Sequence, residues 1–218
     1  MDRASRNRLM PQQLPLFAGD TLFDRVARAC CRAGCLPRKE LFEAWEVARR
    51  VRRRMRGGRV VDLACGHGLL AYLLLLLDDS SGEALAVDCR LPESAAKLAA
   101  VLCEEWPRLA QRVHFLETDL NTLPLAADDL VASAHACGPL TDQILTHAVA
   151  ARTRLALLPC CHDLQGADFG GLHGWLDGPL AMDVLRVERL RHAGYRVHTQ
   201  TIPADITPKN RLLLAEPR

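Results

Sequence analysis

The stretch Val60-Val61-Asp62-Leu63-Ala64-Cys65-Gly66-His67-Gly68 decides the fold of this 218-residue chain. A short apolar run ends in an acid, a turn of small residues follows, and an apolar segment from Leu69 to Leu77 resumes with helical character. Gly66 and Gly68 let the backbone take positive φ and approach a ligand closely. The helix opening near Gly68 offers free backbone N–H groups. Asp62 sets a carboxylate beside that turn.

Outward from this point the chain alternates. Short β-type runs fall at 59–64, 84–88, 112–117, 129–134 and 153–159, with helical stretches at 68–77, 93–105 and 139–150 between them. That alternation predicts a parallel sheet with helices on both faces. A glycine-rich loop, Gly166 to Gly178, leads into a helix at 180–193, then β-type runs at 195–202 and 210–216. The connection from Pro203 to Asn210 is too short for the crossover of a dozen or more residues that a parallel pair requires, so the last two strands are expected to be antiparallel. The expectation is a Rossmann-like α/β domain over 57–218, with a seven-stranded, mostly parallel sheet and an antiparallel closing strand. Residues 1–56 read as a helical extension: a proline-punctuated strap to residue 19, then two helices broken at Gly34 to Pro37. The extension ends in the basic run Arg49, Arg50, Arg52, Arg53, Arg54 and Arg56, which reads as a solvated face or a phosphate contact.

Composition narrows the class. Hydrophobic residues make up 49% and charged residues 25%, as in ordinary globular chains, and a net charge of +2 announces no polyanionic partner by itself. Nine cysteines, an odd number partly embedded in apolar runs, fit a reduced cytosolic protein better than a disulfide framework. The longest apolar stretch, Leu69 to Leu77, falls short of the roughly 20 residues that span a bilayer, so no membrane association is expected. Nothing in the sequence fixes the oligomeric state.

Two further acids follow apolar runs. Asp88 ends Ala84-Leu85-Ala86-Val87 and is placed to accept from ribose hydroxyls; Asp119, before Leu120, is placed to accept from an adenine amino group. Gly66-x-Gly68-x-x-Ala71 also satisfies the loose dinucleotide pattern, which keeps a nicotinamide oxidoreductase in view. The acid at Asp62 separates the two readings. It repels the pyrophosphate that a dinucleotide site brings to a helix N-terminus. It attracts S-adenosylmethionine, a cationic nucleoside without phosphate.

The series Asp62 to Gly68, Asp88 and Thr118-Asp119-Leu120 resembles motifs I to III of the class I S-adenosylmethionine-dependent methyltransferases. His135-x-Cys137-Gly138, with Thr141-Asp142, and Cys160-Cys161-His162 resemble a branch that includes the tRNA 2′-O-methyltransferases of the acceptor stem and related methyltransferase-like proteins. The resemblance implies that Asp62, Ala64, Gly66 and Gly68 hold the methionine end of the cofactor, Asp88 its ribose, and Asp119 with Leu120 its adenine. Ala64 stands where many members carry glycine. His135 and His162 are the candidate bases, and Cys137, Cys160 and Cys161 are expected to line the acceptor pocket without a metal. The acceptor implied is a tRNA-like RNA, with a protein side chain or small molecule as alternatives. A silent S-adenosylmethionine-binding module is the reading without chemistry.

Overall fold

The computed structural model describes all 218 residues. Seven strands, β1 (Val60–Leu63), β2 (Ala84–Asp88), β3 (Val113–Glu117), β4 (Leu130–Ser133), β5 (Arg154–Leu157), β6 (Tyr195–Thr201) and β7 (Arg211–Pro217), form one sheet in the order β3-β2-β1-β4-β5-β7-β6. The first five pair in parallel, and β7 runs antiparallel to both β5 and β6. The predicted strands all form, and the short connection after β6 closes the sheet as its length dictates.

Alternating side chains along the strands feed two cores. Val60, Ala84, Ala86, Leu130, Ala132 and Leu214 face one side, with α1 (Leu22–Ala33), α2 (Arg38–Arg52), α3 (Leu69–Leu77) and α4 (Ala95–Glu105). Val61, Leu63, Val87, Val131, Leu155 and Leu213 face the other, with α5 (Pro139–Ala151) and α6 (Gly178–His192). α3 is apolar all round because it is sandwiched between the sheet and α2, and only its last residue is not fully buried.

The N-terminal segment is built into this core. Leu9 and Phe17 are buried, the latter in a 3-10 turn, Pro11–Phe17. The strap satisfies the first N–H groups of α2, which has no side-chain cap: Arg38 N–H donates to Asn7 O at 3.0 Å and Lys39 N–H to Ser5 O at 2.9 Å. That clasp fixes the start of α2 over the carboxyl edge of the sheet.

Trp175, in the loop between β5 and α6, is 88% exposed. The basic run is not one solvated face, because Arg52 is buried: its Nε donates to Leu74 O at 2.9 Å and its guanidinium pairs with Asp78 at 3.2 Å. Arg49 and Arg50 pair with Glu46, Arg56 pairs with Asp78, and Arg54 meets His198.

Candidate active site

Strand order reverses between β1 and β4, and this is where open α/β sheets bind ligands. A cavity of about 260 Å³ opens there, lined by Asp62 on β1, by Ala64, Cys65, Gly66 and His67 after it, by His135 after β4, and by Leu36, Glu40 and Ala44 from the extension. The register explains the assembly. Asp62 pairs with Ala132 on β4, so His135 lies three residues beyond that partner and reaches the same edge.

The turn after β1 is held by its neighbours. Cys65 N–H donates to Val87 O at 3.1 Å, and Gly68 N–H closes the turn on Cys65 O at 2.8 Å. Gly68 sits at φ 74°, and a Cβ there would stand 2.7 Å from the Phe115 ring. A side chain would therefore meet both strain and a clash. Gly66 takes φ 52°, a left-handed angle that favours glycine, and it lines the cavity. Ala64 also takes positive φ, 56°, a strained conformation for an L-residue at a position where related motifs carry glycine.

Asp62 is 2% exposed and has one hydrogen bond, from the N–H of Ala71 at 3.2 Å. Burial, reinforced by the charge of Asp88, pushes its carboxyl up to about 8 against the pull of that N–H. A buried carboxylate with so little compensation suits a cationic ligand group. An ammonium at the cavity wall would supply the missing charge, and the first free N–H groups of α3 would suit a carboxylate of the same ligand.

The other acids form a row across adjacent strand ends. Asp88 accepts from the N–H of Gly66 at 2.9 Å and pairs in register with Glu117. Thr118 N–H donates to Asp88 O at 3.0 Å, which brings Asp119 to the same edge. The Asp119 carboxylate accepts from Asn121 N–H and Nδ2, both at 2.9 Å, and caps the turn Leu120–Thr122. Leu120 itself is buried in the core with Val61, Leu63 and Val87.

The two histidines part company. His135 lines the cavity, where burial, with the nearby charge of Lys39, lowers it to about 4 and keeps the ring neutral at physiological pH. The His162 side chain is 1% exposed, and its Nε2 meets Asp183 Oδ1 at 2.8 Å. Asp183 also accepts from Arg186 at 3.0 Å and Arg211 at 2.6 Å, and Arg186 pairs with Asp142 at 2.7 Å. His162 thus ties the loop after β5 to α6 and β7, and is not among the residues lining the Asp62 cavity. Cys137, Cys160 and Cys161 come together at the ends of β4 and β5, with their sulfurs within 4.8 Å of one another.

Two further cavity residues, His67 and Glu40, stand outside the expected set of site residues. His67 Nε2 lies 2.9 Å from Ser94 Oγ at the start of α4. Glu40, in the first turn of α2, is pushed up to about 7 by burial and by the neighbouring Glu43, against the charge of Lys39. A proline followed by acids at a helix start was the only trace in the sequence, and it reads as ordinary capping.

A seven-stranded sheet in this order, with three acids at successive strand ends and a cavity at the switch point, has the architecture of the Rossmann-like methyltransferase fold. A profile described as a methyltransferase domain matches residues 40–166, more than half of the chain, and the chain belongs to that family. No curated protein matches the sequence.

Solved structures repeat the fold at low identity. An O-methyltransferase family protein from Burkholderia thailandensis aligns with 96% of this chain and 63% of its own at 18% identity and a TM-score of 0.53. The S-adenosylmethionine-dependent methyltransferase SibL, in its apo form, aligns with 97% of this chain and 66% of its own (20% identity, TM-score 0.55). The B. subtilis M1A22 tRNA methyltransferase TrmK aligns with 81% and 65% (16% identity, TM-score 0.55). The chain therefore spans slightly less than two thirds of the length of each. No helix of the chain is long and apolar enough to cross a membrane.

Proposed function

We propose that this chain methylates an RNA acceptor, with His135 receiving the proton of the attacking group. The observation that carries the chemistry is the shared cavity of Asp62, the Gly66 turn and His135. Bound S-adenosylmethionine supplies a methyl carbon already activated by its sulfonium. With it bound, Asp62 would pair with the ammonium, Asp88 would accept from the ribose, and Asp119 would accept from the adenine amino group. The remaining tasks are alignment, worth on the order of 7–11 kcal/mol, and proton removal. A ring kept neutral by burial has a lone pair to offer at physiological pH.

RNA is favoured by cations around the cavity. Lys39 acts on His135 and Arg8 on His67, while Arg90 and Lys97 line an adjoining depression that shares Pro92 with the cavity. Such groups position a phosphate backbone. A second reading, a cationic amine of a protein or small molecule, is favoured by Glu40 on the cavity wall.

Incubation with radiolabelled methyl donor, followed by separation of RNA, protein and metabolites, tests the proposal. Label in RNA that falls on removal of Lys39 or Lys97 is the expected result. Label confined to metabolites or protein refutes the RNA acceptor, and donor binding without transfer to any fraction identifies a binding module.

A further inference from the structure

Cys137 follows β4, and Cys160 and Cys161 follow β5, its neighbour in the sheet. Two backbone bonds lock these segments side by side: Leu158 N–H to Ser133 O at 2.9 Å, and Gly138 N–H to Cys161 O at 3.0 Å. In an extended chain, vicinal side chains point to opposite faces, which is why adjacent cysteines rarely share a metal. Here the chain leaves the strand at Leu157, before Cys160, and both sulfurs turn toward Cys137. All three Sγ atoms lie within 4.8 Å of one another, with Cys137 and Cys160 at 3.1 Å.

We propose that Cys137, Cys160 and Cys161 form a thiolate site for zinc, with its fourth coordination position open. The site lies outside the Asp62 cavity and does not depend on the methyl-transfer reading. Sulfurs bound to tetrahedral zinc at about 2.3 Å stand about 3.8 Å apart, within about 1 Å of the separations seen here. Binding balances by proton release: three S–H protons leave to solvent, three S–Zn bonds form, and no electron is transferred. Borderline-soft zinc matches an all-sulfur set, whereas magnesium and calcium prefer oxygen. Cys137 and Cys161 are exposed, so an ion has a path in. No fourth side-chain ligand joins the group, which leaves one place for water or for a donor atom of an incoming molecule.

The test uses the full chain, stripped by chelator and kept reduced by a phosphine, and titrated with cobalt(II). A thiolate-to-cobalt charge-transfer band that saturates at one equivalent and is displaced by zinc is expected. Cys137→Ser, Cys160→Ser and Cys161→Ser should each weaken binding by about 100-fold or more, and Cys89→Ser should bind as the parent does. Circular dichroism separates loss of site from loss of fold, and exposed Cys161 gives a readable variant if Cys160→Ser does not fold. Absence of the band at one equivalent, or its survival in Cys137→Ser or Cys161→Ser, overturns the proposal.

Discussion

The backbone N–H of Gly66 donates to Asp88 Oδ2 at 2.9 Å, so the last residue of β2 holds the turn that follows β1. One carboxylate can therefore fix the glycine turn through one oxygen and receive a ribose hydroxyl through the other. Hydrogen bonds to a charged group contribute about 1.5–3 kcal/mol. Asp88→Ala should weaken S-adenosylmethionine binding by about 10- to 100-fold in calorimetry, and Asp88→Asn, which keeps an acceptor, by less. Unchanged affinity in Asp88→Ala removes the ribose role.

Asp62 predicts a pH dependence with a definite sign. Its folded-state pKa, about 8, lies above the ordinary carboxylate value because of burial. Its contribution to stability is therefore full below the unfolded pKa and is lost as pH rises from about 4 through 8. The denaturation midpoint of the ligand-free protein should fall across that window, and Asp62→Asn should flatten the part due to this group. Cofactor affinity should move the other way, rising by up to about tenfold per pH unit below 8, since an ammonium favours the ionised form. Parallel slopes in parent and variant contradict the pairing.

His135→Ala should lower kcat by roughly 10²–10⁴-fold with cofactor affinity near the parent value, the split expected of a base that does not hold the donor. Because burial lowers His135 to about 4, its loss of a proton should leave no acid limb in the rate between about pH 5 and 8. A limb near 7 that disappears in Glu40→Gln would instead assign the titration to Glu40. His162→Ala should act on stability, since His162 ties the loop after β5 to Asp183 of α6, which also accepts from Arg211 of β7.

How far the sequence could be read follows from the range of its signals. The acid and glycines at 62–68 act locally, so their strand, turn and helix were legible, as was the antiparallel end from one short connection. Leu120 illustrates the limit: its place next to Asp119 says nothing about which side it faces, and it faces the core. Glu40 stands 22 residues before Asp62, and it reaches the cavity because α2 packs on α3 while Ser5 and Asn7 clasp the start of α2. The convergence of Cys160 and Cys161 on Cys137 depends on where the chain leaves β5, which no periodicity encodes.

The arginine run shows how tertiary position overrides composition, and it gives a prediction that separates fold from acceptor binding. From Glu40 to Arg53 the α2 axis covers about 20 Å at 1.5 Å per residue, so the cavity lies at one end and the arginines at the other. There Arg52 meets the end of α3 and Ser81 before β2, and the carbonyl of Arg56 accepts from Arg154, the first residue of β5. These contacts place the run at the amino edge of the sheet, away from the Asp62 cavity at the carboxyl edge. Removing one partner of a buried ion pair costs about 3–5 kcal/mol, so Arg52→Ala should lower the urea midpoint sharply. Arg53→Glu, at an exposed neighbouring site, should change neither stability nor the salt dependence of RNA methylation, whereas Lys97→Glu should reduce that dependence. An equal loss of RNA methylation in both charge reversals would mean that the acceptor wraps the amino edge as well.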